Sequence, residues 1–572
     1  MKKPTRAHVF LLPTMALAFT LLVGTAEARI PHGEAFEGKS ERDESSSLRW
    51  LDYKNGKGES LGVDVTPNSR FNLWSQLDSV DDKIEGTSTA KAYADPRFPK
   101  KSKEVIVAVI DSGVDITHQD LKGKIWINYA ELNGLPGVDD DGNGFIDDVY
   151  GWNFLGGKNG KNVEGSTFEV TREYSRLTKL KDSRKLTESE EVYLVKIRDQ
   201  YDGEYKIARD KLQSHEFLMT EIESLKILGL TADTAAAVWA IKSNDPEVVE
   251  AQGDAAIFFT NTGSTEALQV IIDDAKTEIQ YGYNLNFDPS EIVGDDPGKL
   301  DEVGYGNPDV TGPIAGAMHG THVAGIIAAN RDHHDGILGQ ADNVKIMSLR
   351  VVPNGDERDK DVANAIYYAV KNGANVINMS FGKDHSPHKA YVDEAVAYAE
   401  SHGVMMIHAA GNESKNTESG DDNFPNKKLF SESLTAHEAK NWIEVGASSS
   451  FKGPNLAASF SNWGHTSVDL FAPGTNIIST VPGNKYRSLQ GTSMASPEVA
   501  GVAALLMSHF PNQNATEIID AMMSTTTQYP DLIVNIPSED ASAAPAKISF
   551  SELSKSGGIV NTDQAMLRLL KN

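Results

Sequence analysis

On either side of residues 156–290 the chain repeats one pattern: a short apolar run, a polar turn, a helical stretch, then another apolar run. Val105 to Ile110 is apolar at every position, which suits a strand buried on both faces of a parallel sheet rather than one with a wet face. Val344 to Val352, mostly apolar, reads as another such strand. Asp361 to Lys371 carries apolar residues at Val362, Ala365, Ile366, Ala369 and Val370, a helical spacing that Asn372-Gly373 stops. Val376 to Met379 is the next strand, Tyr391 to Ser401 the next helix, ended by Gly403, and Val404 to His408 the strand after it. Such alternation predicts an α/β fold: a doubly wound, mostly parallel sheet flanked by helices and joined by right-handed crossovers. Ligands bind such sheets beyond the carboxyl ends of the strands, and Asp111, Ser380 and Asn412 each stand just after an apolar run.

Two further strings lie far downstream of Asp111, His319-Gly-Thr-His322-Val-Ala-Gly325 and Gly491-Thr-Ser493-Met-Ala-Ser-Pro497. A serine hydroxyl is a poor nucleophile at neutral pH. It needs an imidazole to take its proton and a carboxylate to hold that imidazole in the right tautomer. Several chain orders deliver this geometry, and Asp, His, Ser is the one found in subtilisin. Met494 to Met507 reads as a buried helix. Ser493 would stand at its N-terminus, where free N–H groups and the helix dipole favour negative charge.

Together with His408-Ala-Ala-Gly411-Asn412-Glu413 and Asn375-Val-Ile-Asn-Met-Ser380-Phe-Gly382, these strings resemble the subtilisin-like serine proteases, the subtilases. The similar segments cover roughly residues 71–155 and 290–570, in the family's order. The resemblance implies a subtilisin-like sheet and a serine endopeptidase that hydrolyses peptide bonds through an acyl-enzyme. It gives Ser493 the role of nucleophile and His319 that of general base, with Asp111 to orient and stabilise the imidazole. Asn412 would donate its side-chain amide to the oxyanion, beside the Ser493 N–H. It also implies that Ser380, Phe381 and Gly382 pair with an extended substrate, as strand addition would, and that Ala409, Ala410 and Gly411 line the specificity pocket. Phe381 stands where leucine is usual, and Glu413 is expected near the pocket rim. His322 takes a packing role; no glutamate lies between it and His319, as a His-Glu-x-x-His zinc site requires.

Met1 to Ala28 has the marks of a secretory signal: Lys2, Lys3 and Arg6, then the mostly apolar Val9 to Val23, then Ala26-Glu27-Ala28 as a cleavage site. The apolar stretch, interrupted by Pro13, is short for the span of about 20 residues that a bilayer needs. A secreted protein with no membrane span after cleavage is expected, and a periplasmic location also fits. Cleavage would remove three of 54 basic and one of 81 acidic residues, leaving 51 against 80, a net charge of −29. That surface argues against nucleic acid as a partner; protein or peptide substrates and a monomer are expected. There is no cysteine, so an exported chain has no disulfides and no lipid attached through cysteine, and stability must come from core area, with bound metal a candidate addition.

Residues 29–70 form a polar N-terminal arm, a candidate short pro-segment, ahead of a peptidase domain expected over 71–570. No domain is expected beyond Ser556–Asn561, which resembles the family's usual close. Residues 156–290 are charged and helical and read as an insertion. Thr187-Glu-Ser-Glu190 is a capping box, and Leu194, Ile197, Tyr201, Tyr205, Ala208 and Leu212 share one face of a long helix. Further helices are expected over 234–242 and 265–281. Asp139, Asp141 and Asn143 fall at positions 1, 3 and 5 of a loop whose sixth residue is Gly144, the start of an EF-hand-type calcium site. Tyr150 replaces the closing glutamate, so Asp147 or Asp148 and the Phe145 carbonyl are expected to complete a structural calcium shell. Asp295 and Asp296 are a weaker second candidate.

Overall fold

A computed structural model describes residues 70–227, 235–261, 265–332, 336–419, 423–538 and 545–571. The leader expected over 1–28, and the arm expected over 29–70 up to its last residue, lie outside the described residues. One 9-stranded sheet organises the rest. Its strands are β1 (Val105–Asp111), β2 (Gly151–Asn153), β3 (Val344–Arg350), β4 (Val376–Met379), β5 (Met405–Ala409), β6 (Trp442–Ser448), β7 (Leu470–Pro473), β8 (Thr527–Gln528) and β9 (Gly558–Ile559). They lie in the order β8-β9-β7-β6-β5-β4-β1-β3-β2. Every neighbouring pair is parallel except β8 with β9 at one edge.

The unbroken apolar character of β1 follows from its two-sided burial. Side chains alternate across a strand: Val105, Val107 and Val109 enter one core, and Ala108 and Ile110 the other. On the first side the sheet meets the helices Met318–Ala328 and Thr492–His509; on the second it meets Asp359–Lys371 and Lys389–Ser401. Both of the latter helices begin two residues before the sequence pattern places them. Asp111 has the parity of Val107 and Val109, so it faces the side of the Met318–Ala328 and Thr492–His509 helices. That parity positions the site.

The Thr492–His509 helix is buried along nearly its whole length and packs across β4, β5, β6 and β7. It carries one acidic residue into this core. Glu498 is 1% exposed and accepts a hydrogen bond from Gln340 Nε2. Burial pushes its pKa up to about 8, against the opposing hydrogen bonds from Ser75 and Gln340. The folded state therefore holds a proton that the unfolded chain releases above its ordinary carboxyl range. The stability this confers is complete in acid and is lost as pH rises from about 4.5 through 8. Glu498→Gln, which keeps the shape and cannot ionise, is expected to gain roughly 2–4 kcal/mol over the parent between pH 5 and pH 8. Denaturant melts at the two pH values check this; equal gaps at both would refute it.

Between β2 and the Met318–Ala328 helix lies a stretch of helices: Glu169–Ser183, Glu188–Ile227, Ala235–Trp239, Pro246–Asn261 and Thr265–Thr277, the last running into a π turn at Glu278–Gly282. The capping box is present: Thr187 Oγ1 accepts from the Glu190 N–H (3.3 Å), and the Glu190 carboxylate accepts from the Thr187 N–H (2.8 Å). On the Glu188–Ile227 helix, Ile197, Tyr201 and Ala208 are buried and Leu194, Tyr205 and Leu212 half-buried, as their spacing requires. The Pro246–Asn261 helix is not foreseen by periodicity. Its Ala251, Ala255, Ala256, Phe258 and Phe259 join Ile222, Leu225 and Leu268 in a small core of the segment's own. Among the described residues no helix is long and apolar enough to cross a membrane.

Candidate active site

Ile110 of β1 is paired with Met379 of β4, so Asp111 and Ser380 leave the sheet side by side on adjacent strands, about 4.8 Å apart by ordinary strand spacing. Asp111 is 1% exposed. Its Oδ1 lies 2.7 Å from Nδ1 of His319 and accepts the Ser112 N–H at 2.7 Å. A carboxylate only accepts, so Nδ1 carries the proton and Nε2 presents a lone pair. His319 is the second residue of its helix. The approach depends on Gly320: a Cβ there would lie 2.2 Å from the Gly113 carbonyl and 3.1 Å from Asp111 Oδ1. His322, one turn on, is buried, and its Nε2 lies 3.1 and 3.0 Å from the carbonyls of Ile477 and Arg487. Burial pushes its pKa down to about 3, so it packs as a neutral ring.

Ser380 and Ser493 hold each other. Ser493 Oγ donates to the Ser380 carbonyl (3.1 Å), and Ser380 Oγ donates to the Ser493 carbonyl (3.0 Å). Behind them stands Asn378, a residue to which the sequence analysis gives no role. Its Nδ2 donates to Ser380 Oγ (2.9 Å), and its Oδ1 accepts from Ser496 Oγ (2.7 Å). The signal was available: Asn378 is the one polar residue of the apolar run Val376–Met379, and a buried amide must find partners. Here it ties β4 to the Ser493 helix.

Asn412 follows β5. Its Oδ1 accepts the Thr492 N–H (2.8 Å) and Thr492 Oγ1 (3.0 Å), and Thr492 Oγ1 in turn accepts the Gly411 N–H (3.1 Å). With the oxygen so fixed, Nδ2 faces the other way. Gly491 lies beside both groups: a Cβ on it would lie 3.6 Å from the Ser493 nitrogen and 3.7 Å from both Nδ2 and Oδ1 of Asn412.

The two flanking segments are braced by Asn423. It donates to the carbonyls of Ala409 (3.3 Å) and Ala410 (3.0 Å), while its Oδ1 would lie 2.2 Å from a Cβ on Gly382. Phe381 is buried and meets His408 edge-on, with ring centres 6.4 Å apart. Among the described residues, the peptide groups of Phe381 and Gly382 make no backbone hydrogen bond. Glu413 folds its carboxylate onto Asn462 Nδ2 (2.6 Å), beside Gly411.

In the acidic loop, one oxygen each of Glu131, Asp141 and Asp148 lies within 4.8 Å of the others. Glu131 belongs to the short helix Tyr129–Leu132, upstream of the loop, and the sequence analysis does not include it. Asp139 instead accepts the N–H groups of Asn143 (3.1 Å) and Gly144 (2.8 Å). Asp147 turns to the Gly137 N–H (2.8 Å). Asn143 Nδ2 reaches Asp141 (3.2 Å) and Asp148 (2.9 Å), and its Oδ1 accepts the Phe145 N–H (2.8 Å). Asp148 is fully buried, and burial pushes its pKa up to about 6 despite hydrogen bonds from Tyr368, Asn143 and Asn128. Among the described residues no lysine or arginine forms an ion pair with these three carboxylates. Asp295, by contrast, is 2.7 Å from Lys360 Nζ, an ion pair rather than a cation cradle.

The Subtilase family profile matches residues 102–543. The chain is 42% identical over 208 residues to the thermophilic serine proteinase of Bacillus sp. (strain AK1), covering 36% of this chain and 46% of that protein. It is 37% identical over 217 residues to subtilisin DY of Bacillus licheniformis, covering 38% of this chain and 73% of the relative. Against subtilisin E of Bacillus subtilis (strain 168) it is 37% identical over 224 residues, or 38% and 54%. The chain thus spans about half the length of the first and third of these. On the family match across most of its length, carried by the sheet and strings described above, this chain belongs to the subtilase family.

Proposed function

We propose that the chain is an exported serine endopeptidase that cleaves peptide bonds through an acyl-enzyme at Ser493. The observation that carries the reading is the pairing of β1 with β4, which sets Asp111, with His319 bonded to it, beside Ser380, with Ser493 bonded to it. Ser493 attacks the scissile carbonyl once its hydroxyl hydrogen turns from Ser380 to His319 Nε2. His319 takes that proton and hands it to the leaving amine, and Asp111 stabilises the imidazolium. Asn412 Nδ2 and the Ser493 N–H receive the oxyanion. An extended substrate adds to the open edge at Ser380, Phe381 and Gly382, its side chain before the scissile bond entering between that edge and Ala409, Ala410 and Gly411. A serine-directed phosphonate is expected to add covalently at Ser493, and casein to be degraded. A protein that degrades no casein and takes no label refutes the reading.

Export is supported by the basic, apolar and small-residue sequence of 1–28. Calcium in the acidic loop is supported by the donor chemistry. Glu131, Asp141 and Asp148 offer hard oxygens without a protein cation, and the carboxylate absent at Tyr150 has a counterpart in Glu131. Glu131 would hold the ion together with Asp141 and Asp148, as a structural clamp. Calcium at a hundredfold excess over its Kd is expected to add about 2.7 kcal/mol to stability, read as a higher Tm that chelator reverses. Glu131→Gln should abolish most of that gain; a parent melting curve indifferent to calcium excludes the site.

A further inference from the structure

The cleft edge at Phe381–Gly382 is held at its two ends by different means. At Ser380 it is locked to Ser493, as described. At Lys383 the backbone pairs both ways with Phe424, at 3.1 and 3.0 Å, and the side chain turns inward to 2% exposure. Its ammonium finds an acceptor for each of its hydrogens: Glu169 Oε2 (2.7 Å), Asp359 Oδ1 (2.7 Å) and the Glu357 carbonyl (3.0 Å). Asp359 and Glu357 belong to the core of the fold. Glu169 does not; it opens the first helix of the 169–277 helical stretch.

Glu169 is itself built into place. Arg172 clamps its carboxylate through Nε (3.0 Å) and Nη2 (2.6 Å), and the same guanidinium reaches the carbonyls of Asp356 (3.1 Å) and Glu357 (3.0 Å). Burial alone would raise the Glu169 pKa; Arg172 and Lys383 outweigh it and hold the carboxyl below its ordinary range. A second tie lies just beyond, where His385 Nε2 is 2.9 Å from Gln200 Oε1 of the long Glu188–Ile227 helix. A buried ammonium without its full set of carboxylates is costly, so the position of Lys383 follows that of Glu169. The Phe381–Gly382 edge, next to it in the chain, follows Lys383.

We propose that the helical stretch governs substrate binding through this contact: Glu169 and Lys383 are positioning residues that set the Phe381–Gly382 edge for strand addition by long peptides. They touch no substrate. This rests on the endopeptidase reading above. The stretch is then a brace for one wall of the cleft.

Glu169→Gln tests it, measured on a long peptide that would run along the edge and on a single-residue ester that would reach only Ser493 and its pocket. The expected result is a rise in KM for the long peptide of about tenfold, the worth of one backbone hydrogen bond, with kcat changed less than about twofold and the loss confined to the long substrate. Glu169→Asp, which keeps the charge at a shorter reach, should recover part of it. A melting curve taken on each variant separates this from damage to the fold. A lower Tm with long-peptide KM unmoved overturns the proposal, since the ion pair would then only fasten the helices. Equal losses on ester and peptide overturn it as well. A parent protein inert to both substrates and to phosphonate overturns the endopeptidase reading, and this one with it.

Discussion

Replacing Ser493 with alanine is expected to lower turnover of a peptide substrate by about 10⁶, the loss found for the nucleophile of subtilisin itself. KM should hardly move, because the segments proposed to bind substrate are untouched. The fold should also survive. Ser493→Ala removes the bond from its hydroxyl to the Ser380 carbonyl but leaves the bond from Ser380 Oγ to the 493 carbonyl, so about 1 kcal/mol of stability is at stake. His319→Ala should lose a comparable factor, and the double variant no more than either alone, since the pair acts as a unit. Retention of a hundredth of the parent's turnover by Ser493→Ala would require another nucleophile.

Asn412→Ala is expected to cost about 10²–10³ in kcat with little change in KM, a magnitude measured on the oxyanion asparagine of subtilisin. The structure adds a second consequence. The Asn412 oxygen also accepts the buried Thr492 N–H and hydroxyl, and truncation strands both donors at the start of the Ser493 helix. A stability loss of about 1–3 kcal/mol should accompany the kinetic one. The two effects can be separated with Thr492→Val, which gives up the hydroxyl but keeps the Nδ2 donor. If Thr492→Val reproduces the full kinetic loss, helix placement rather than oxyanion donation is responsible.

What could be read from the sequence was local. The two-sided burial of β1 is written in its unbroken apolar run, and Thr187 and Glu190 announce the cap they form. The strings around Asp111, Asn412 and Ser493 stand out because small or turn-forming residues crowd a few positions there. What escaped depends on packing between distant segments. Glu131 joins Asp141 and Asp148 only because the Tyr129–Leu132 helix folds back over the loop, and an EF-hand spacing counts forward from the first ligand. Lys383 and Glu169 look like ordinary surface charges until the fold buries them together. The Pro246–Asn261 helix, interrupted by Gly253, clusters its apolar residues instead of spacing them, since it fills a small core of its own.

The lateral neighbours of the Thr492–His509 helix are drawn from early, middle and late parts of the polypeptide. Contacts between positions so remote form late in folding. A chain not yet folded therefore carries the serine, the imidazole and the carboxylate as three separate side chains. The Asp111–His319 pair and Ser493 come together only when the last third of the sequence closes on the first.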